Sequence, residues 1–180
     1  MIRLQIDDKD LARVQKALVE TPKKVQRAAY FATRRTVTRV RTKLSVNTRK
    51  RYTAAAAAVK EAMRVQKPSM GNLRAAVVVT GKQLPLRSFR IRDNTERPVR
   101  VQIKRGGGSK PVRGLFVRRF PKGYEGPMHR RQAARYPLAT PGGPSVPQMV
   151  EKPEVFDEVE KAAEDFLARR FHHELQYFLK

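Results

Sequence analysis

The stretch Thr21-Pro22-Lys23-Lys24-Val25-Gln26-Arg27-Ala28-Ala29-Tyr30-Phe31-Ala32-Thr33-Arg34-Arg35-Thr36-Val37-Thr38-Arg39-Val40-Arg41-Thr42-Lys43-Leu44 decides the fold. Thr21 is a good helix cap and Pro22 suits the first helical position. Val25, Ala28, Ala29, Ala32, Thr36, Val40 and Leu44 then recur three or four apart, which marks one face of a helix. The opposite side carries Lys23, Lys24, Arg27, Arg34, Arg35, Arg41 and Lys43. A helix from Pro22 to Leu44 or beyond is predicted, small and apolar on one side and cationic on the other. Such a helix needs a second layer against its narrow apolar stripe.

The far end of the chain supplies a second long helix. Pro153 opens it, and Val159, Ala163, Phe166, Phe171, Leu175 and Phe178 form its stripe. Its acids crowd the first half and Arg169 and Arg170 come later, the order a helix dipole favours.

Between the two helices the period changes from 3.6 to 2. Leu73 to Thr80, with Val77, Val78 and Val79, reads as a buried strand. Leu86 to Ile91 puts Phe89 and Ile91 on one face. Val99, Val101 and Ile103 alternate with Arg100, Gln102 and Lys104, and Val112 to Phe120 holds Leu115, Phe116 and Val117. Gly106-Gly107-Gly108-Ser109-Lys110-Pro111 is expected as the tip of a hairpin joining those last two strands. A short strand is expected from Met128 to Arg131. At the start, Ile2, Leu4 and Ile6 alternate with polar residues, and Asp7 or Asp8 caps a helix from about Lys9 to Val19. Asn47 to Thr53 reads as a break, with Thr53 capping an alanine-rich helix over Ala54 to Met63. The expected fold class is α+β, with long N-terminal helices and a C-terminal helix packed on a small antiparallel sheet in a single domain, 1–180.

One segment resists both periods. Five of the twelve prolines lie between Tyr136 and Pro153, together with Gly142 and Gly143. Ala139 to Gln148 is predicted to be neither helix nor strand but part of an extended arm over 136–153. Val146 and Met149 on that arm are expected to need a partner outside their own body.

Charge narrows the function. The chain has 40 Lys and Arg against 16 Asp and Glu, a net charge of +24. Residues 21–150 hold 31 of the cations and only Glu61, Asp93, Glu96 and Glu125 as acids, whereas 151–180 hold eight acids and five cations. A basic body with an acidic C-terminal element binds a polyanion, an acidic protein surface, or its own copies head to tail. No apolar run approaches the ~20 residues of a membrane span. The opening Met1-Ile2-Arg3-Leu4-Gln5-Ile6-Asp7-Asp8 lacks the order of a secretory signal. A soluble intracellular protein is expected.

Chemical motifs are scarce. The absence of cysteine excludes a thiol nucleophile and a cysteine-type zinc site. Gly106 to Lys110 has the wrong order for a phosphate loop. His172 and His173 are helical neighbours without the i, i+4 spacing of a zinc pair, and His129 sits beside Arg130 and Arg131, where a phosphate contact competes with a plain strand role. The acids form no acid/base motif, and Phe116 and Phe120 lack the context of an RNA-recognition motif. No catalytic residue, cofactor or metal is expected. Basic composition, a glycine-tipped hairpin and a proline arm suit an assembly protein, and a nucleic-acid-binding protein of ribosomal type fits as well.

The order Gly143-Pro144-Ser145-Val146-Pro147-Gln148-Met149 decides between the assemblies. It resembles the Gly-Pro-Ser-Val-Pro-Gln signature of the minor tail protein Z family of long-tailed phages. The similarity runs from about Glu20 to Phe178 and includes Leu84-Pro85-Leu86 leading to Phe89, Leu115-Phe116-Val117, and Arg135 to Leu138. The family pattern has a large residue before Gly-Pro-Ser; Gly142 stands there, which predicts looser packing or a different neighbour. The resemblance implies a structural virion protein that completes the head-proximal end of the tail and forms part of the neck, without enzyme activity. It implies partners among neck and tail proteins, such as the tail terminator and connector rings, a homo-oligomeric ring, and non-specific contact with genomic DNA. The Gly143 to Met149 arm is expected to contact partners. Arg27, Arg34, Arg35, Arg41 and Lys43 are expected to meet anions or acidic neighbours, and Glu154, Asp157, Glu158 and Glu160 to meet a basic subunit face.

Overall fold

The computed structural model describes residues 2–4, 22–92, 98–121, 123 and 125–179. The helix expected over Lys9 to Val19, with Leu11, Val14 and Leu18, lies outside them. The fold class is α+β. Among the described residues, helices α1 (Pro22–Arg51), α2 (Ala56–Glu61), α3 (Val146–Val150) and α4 (Pro153–Leu179) accompany eleven short antiparallel strands. The residues group into two compact units. Unit 1 draws on Met1–Leu44, Met63–Val79 and Pro153–Lys180, and unit 2 on Ser45–Ala62 and Thr80–Lys152.

In unit 1, β1 (Ile2–Leu4), β2 (Met63–Gln66) and β3 (Ala75–Val79) form a sheet in the order β1-β3-β2. The central strand β3 has no alternation: Ala75, Ala76 and Val77 are all buried. Helix α1 buries Val25, Ala28, Ala29, Ala32, Thr36, Val40 and Leu44, the face read from the sequence, and adds Thr33 and Val37. α4 runs antiparallel to it. Phe31 stacks on Phe178 at 5.8 Å, Arg35 reaches Glu174, and Arg39 lies over the Phe166 ring. Val155, Val159 and Ala163 are buried on α4, while Phe166, Phe171, Leu175 and Phe178 are half-buried.

The expected break at Asn47 to Thr53 does not occur: α1 continues to Arg51. Ser45, Asn47 and Thr48 are buried and keep the helix packed. The hydroxyls of Thr36, Thr38 and Thr42 are satisfied locally, as in Thr36 Oγ1 donating to the Ala32 carbonyl at 2.8 Å. Arg105 Nε donates to the Arg49 carbonyl at 2.7 Å, which satisfies an acceptor in the last turn. Thr53 is no helix cap. Its hydroxyl donates to the Gln102 carbonyl and accepts the Arg90 N–H, and Ala55 stands at the cap of the shorter α2.

Unit 2 holds three small sheets instead of one. β5 (Arg90–Arg92), β6 (Arg100–Gln102) and β7 (Lys110–Pro111) form the first; β8 (Leu115–Arg119), β9 (Glu125–Arg130) and β10 (Leu138–Ala139) the second; β4 (Gln83–Pro85) and β11 (Gly142–Ser145) the third. The glycine tip therefore joins β6 to β7, and β8 pairs with β9. Leu115 to Arg119 lies opposite Glu125 to His129, a longer run of pairs than β6 and β7 make.

The proline arm is also corrected. β10 pairs with β9, β11 pairs with β4, and Val146 to Val150 is helical. Ser145 and Gln148 form a reciprocal capping box: Gln148 N–H donates to Ser145 Oγ and Ser145 N–H to Gln148 Oε1. Pro147 falls in the first turn, where its missing N–H costs nothing. Val146, Met149 and Val150 are buried in their own chain, so they need no outside partner. Gly142 is exposed beside Gln83, and a Cβ there would meet Gln83 Oε1 at 2.6 Å. Gly143 lies against a more rigid group, with a built Cβ 2.6 Å from Phe89 Cε2.

Three substitutions test this folding of the signature. Ser145→Ala should lower unfolding free energy by about 1 kcal/mol through loss of the cap. Met149→Ala should cost ~2–5 kcal/mol through the cavity it leaves, and Gly143→Ala ~1–3 kcal/mol through the clash with Phe89. Urea unfolding of each variant reads the values; a neutral Met149→Ala would contradict the burial.

Candidate functional site

Three charged surfaces are candidates. The first is the outer side of α1. Arg27, Arg34, Arg35 and Lys43 are exposed or half-buried, and Arg41 is half-buried. They do not share one stripe. Arg27, Arg34 and Arg41 are seven apart and fall nearly in line. Arg35 instead turns to Glu174 at 3.5 Å, and Lys43 borders Val159 and Ala162 of α4. Arg34 lies near Tyr30, 6.0 Å from its ring centre.

The second surface is the start of α4. Glu154, Asp157, Glu158 and Glu160 are exposed there, as the dipole argument expects. Spacing does not reveal that the buried acid of this helix is Glu174, near its other end. Glu174 is 5% exposed and receives Arg170 at 2.8 Å and Arg35 at 3.5 Å.

The third surface is one that no sequence motif marks. On β8 the alternation puts Phe116, Arg118 and Phe120 on one side of the chain. Arg118 lies 4.7 Å from the Phe120 ring centre and 5.5 Å from that of Tyr136, and its Nη2 donates to the Tyr136 hydroxyl at 3.0 Å. Arg135 approaches the same tyrosine ring at 5.8 Å. Tyr136 is 53% exposed. The hydrogen bond from Arg118, then its charge, lowers the Tyr136 phenol below its ordinary pKa of 10.0. Beside this cluster lies an open cleft of about 660 Å³. Leu115, Phe116 and Pro141 give it apolar walls, and Arg113, His129 and Arg130 give it donors. His129 is thus a half-buried strand residue that also faces a cleft. The cation–aromatic alternation is visible in Phe116-Val117-Arg118-Arg119-Phe120; the contribution of Tyr136 is not, because only the β9–β10 pairing brings it near.

Among the described residues no group of acids and histidines could hold a metal ion, and no helix is long and apolar enough to cross a membrane. Comparison with known families accounts for nearly the whole chain. The prophage minor tail protein Z family model matches residues 9–180. The chain belongs to that family. It is therefore a phage minor tail protein, a structural component of the tail and of the virion. The Gly143 to Met149 signature of this tail protein lies in β11 and α3, where it builds the fold. No curated protein and no solved structure matches the chain.

The Tyr136 shift has a defined sign. A lowered folded-state pKa adds stability only as the phenol ionises, so the contribution appears as pH rises through that range and is absent at neutral pH. Tyr136 should titrate at lower pH than it does in Arg118→Met, read by ultraviolet absorbance or NMR. Unfolding at pH 7 should show no part of this linkage. Equal titration curves would remove the Arg118–Tyr136 contact.

Proposed function

We propose that this tail protein sits at the head-proximal end of the tail, completes it, and forms part of the neck as a ring of identical subunits. Two supports lead there. The resemblance of Gly143 to Met149 to tail-completion proteins supports the position. The observation that carries the assembly mode is the presence of two helix surfaces of opposite sign on one chain: the Arg27, Arg34 and Arg41 stripe of α1 and the acids at the start of α4.

A ring needs two different surfaces that fit each other head to tail. Glu154, Asp157, Glu158 and Glu160 of one copy facing a basic surface of the next meet that need, with the tail terminator and connector rings as neighbours above and below. Such contacts steer encounter and fix register, and they weaken with salt. The remaining cations meet acidic faces of adjoining rings or the phosphates of the genome, without reading base sequence. Nothing in this reading requires a reaction.

Nanogold bound to a tag on the protein in purified virions should mark the head–tail junction. Label along the tube or at the distal tip overturns the placement. Replacing Glu154, Asp157, Glu158 and Glu160 together by Gln should weaken assembly more at about 50 mM salt than at about 500 mM, because screening already suppresses the pairing at high salt (Debye length about 10 Å at 0.1 M). Equal assembly at both salts would reduce these acids to a solvated face.

A further inference from the structure

From the β8–β9–β10 sheet and its cleft, we propose that unit 2 carries a binding site for single-stranded nucleic acid. The inference does not depend on where in the tail the protein sits. It rests on two observations on the same sheet: a cation–aromatic cluster around Arg118, and an open cleft lined by Phe116 two residues before it on β8.

The first observation is charge with few acids to neutralise it. Between Pro98 and Val150 the sequence has eleven Lys and Arg and one acid, Glu125. That acid is already held by Arg119 at 2.8 Å across the β8–β9 pair. Arg113, Arg130, Arg131 and Arg135 are exposed or half-buried. Arg118 is set in place by the Phe120 and Tyr136 rings and by the Tyr136 hydroxyl. A guanidinium fixed in this way loses little freedom when a phosphate arrives.

The second observation concerns what else the occupant must bring. Tyr136 is exposed, and Phe116 and Met128 are half-buried. Phe116 and Met128 face each other across β8 and β9, on the side of Arg118. The cleft volume, about 660 Å³, lies in the range of small-ligand sites, and its lining combines apolar Leu115, Phe116 and Pro141 with cationic Arg113 and Arg130. The occupant must therefore be anionic and also offer flat apolar surface.

That requirement separates the candidates. The acidic start of α4 presents carboxylates, while Val155 and Val159 are buried. A helix of that kind satisfies the arginines and leaves Tyr136 and the cleft wall bare. A duplex hides the flat faces of its bases in the stack and presents phosphates and groove edges. A single strand supplies both parts at once. Its phosphates meet Arg113, Arg118 and Arg130, and its unstacked bases lie on Tyr136 and against Phe116 in the cleft.

The test uses the full chain and a fluorescent oligodeoxythymidine of about 20 nucleotides, followed by anisotropy at about 150 mM salt, with a duplex of equal length and a polyglutamate peptide as competitors. The single strand should bind more tightly than the duplex, and the peptide should compete poorly. Tyr136→Ala should weaken single-strand binding about tenfold, while Tyr136→Phe, which keeps the ring, should stay within about twofold of the parent. Arg130→Gln should reduce the slope of log affinity against log salt by ~0.7. Arg27→Gln with Arg34→Gln, on α1, should leave the preference for single strands unchanged. Tyr136 is exposed, so its replacement spares the core, and matching circular dichroism confirms that. Equal affinity for duplex, efficient competition by polyglutamate, or indifference to Tyr136→Ala would each overturn the proposal.

Discussion

Burial of a face of small side chains on α1 is the constraint on which unit 1 depends. From Val25 to Val40 the inner face of α1 is valine, alanine and threonine, and each is 2% exposed or less. Alanine gives up almost no side-chain freedom on burial, and Thr36 returns its hydroxyl to the Ala32 carbonyl. Such a face stabilises through close contact, not through large apolar area. The larger groups stand at its margins, where Phe31 meets Phe178 and Arg39 lies over Phe166. A larger residue at Ala28, Ala29 or Ala32 would have to separate elements that the rest of the unit holds together.

The same economy explains the use of charge. With the apolar face so narrow, most of the helix circumference is left to lysine and arginine. Few internal acids answer them. Glu174 draws in Arg35 and Arg170 at the edge of the helix pair, and Glu125 draws in Arg119 on the second sheet of unit 2. Aromatic rings share this role, since Phe166, Phe120 and Tyr136 each hold a guanidinium at 4.3 to 5.5 Å. A ring steadies a cation without cancelling it, so the positive field remains available outside.

Where periodicity is strong, sequence and structure agree. The inner face of α1, the span of α4 and the buried strand at Val77 are all legible from spacing. Pairing is not legible. Val99 to Ile103 and Val112 to Phe120 each alternate well, yet nothing in either strand says that β8 prefers β9 to β6. The proline segment misleads because proline and glycine dominate its composition, while the Ser145-Val146-Pro147-Gln148 capping box hides among them. Of the site residues, the exposed cations and acids are readable as surface charge. The Arg118–Tyr136 contact joins positions eighteen apart and becomes visible only with the β9–β10 register.

The way unit 1 is assembled from the chain has a consequence for its birth. Its parts come from the first 44 residues, from 63–79 and from the final helix. More than seventy residues separate the last two, so the ends of that loop must be brought together before α4 reaches α1. On a ribosome α4 emerges after the other parts of unit 1. Until it does, Phe31, Arg35 and Arg39 of α1 lack Phe178, Glu174 and Phe166, and unit 1 cannot close. Closure of unit 1 therefore waits until all of unit 2 has been made, which ties the onset of any assembly through α4 to a late step of synthesis.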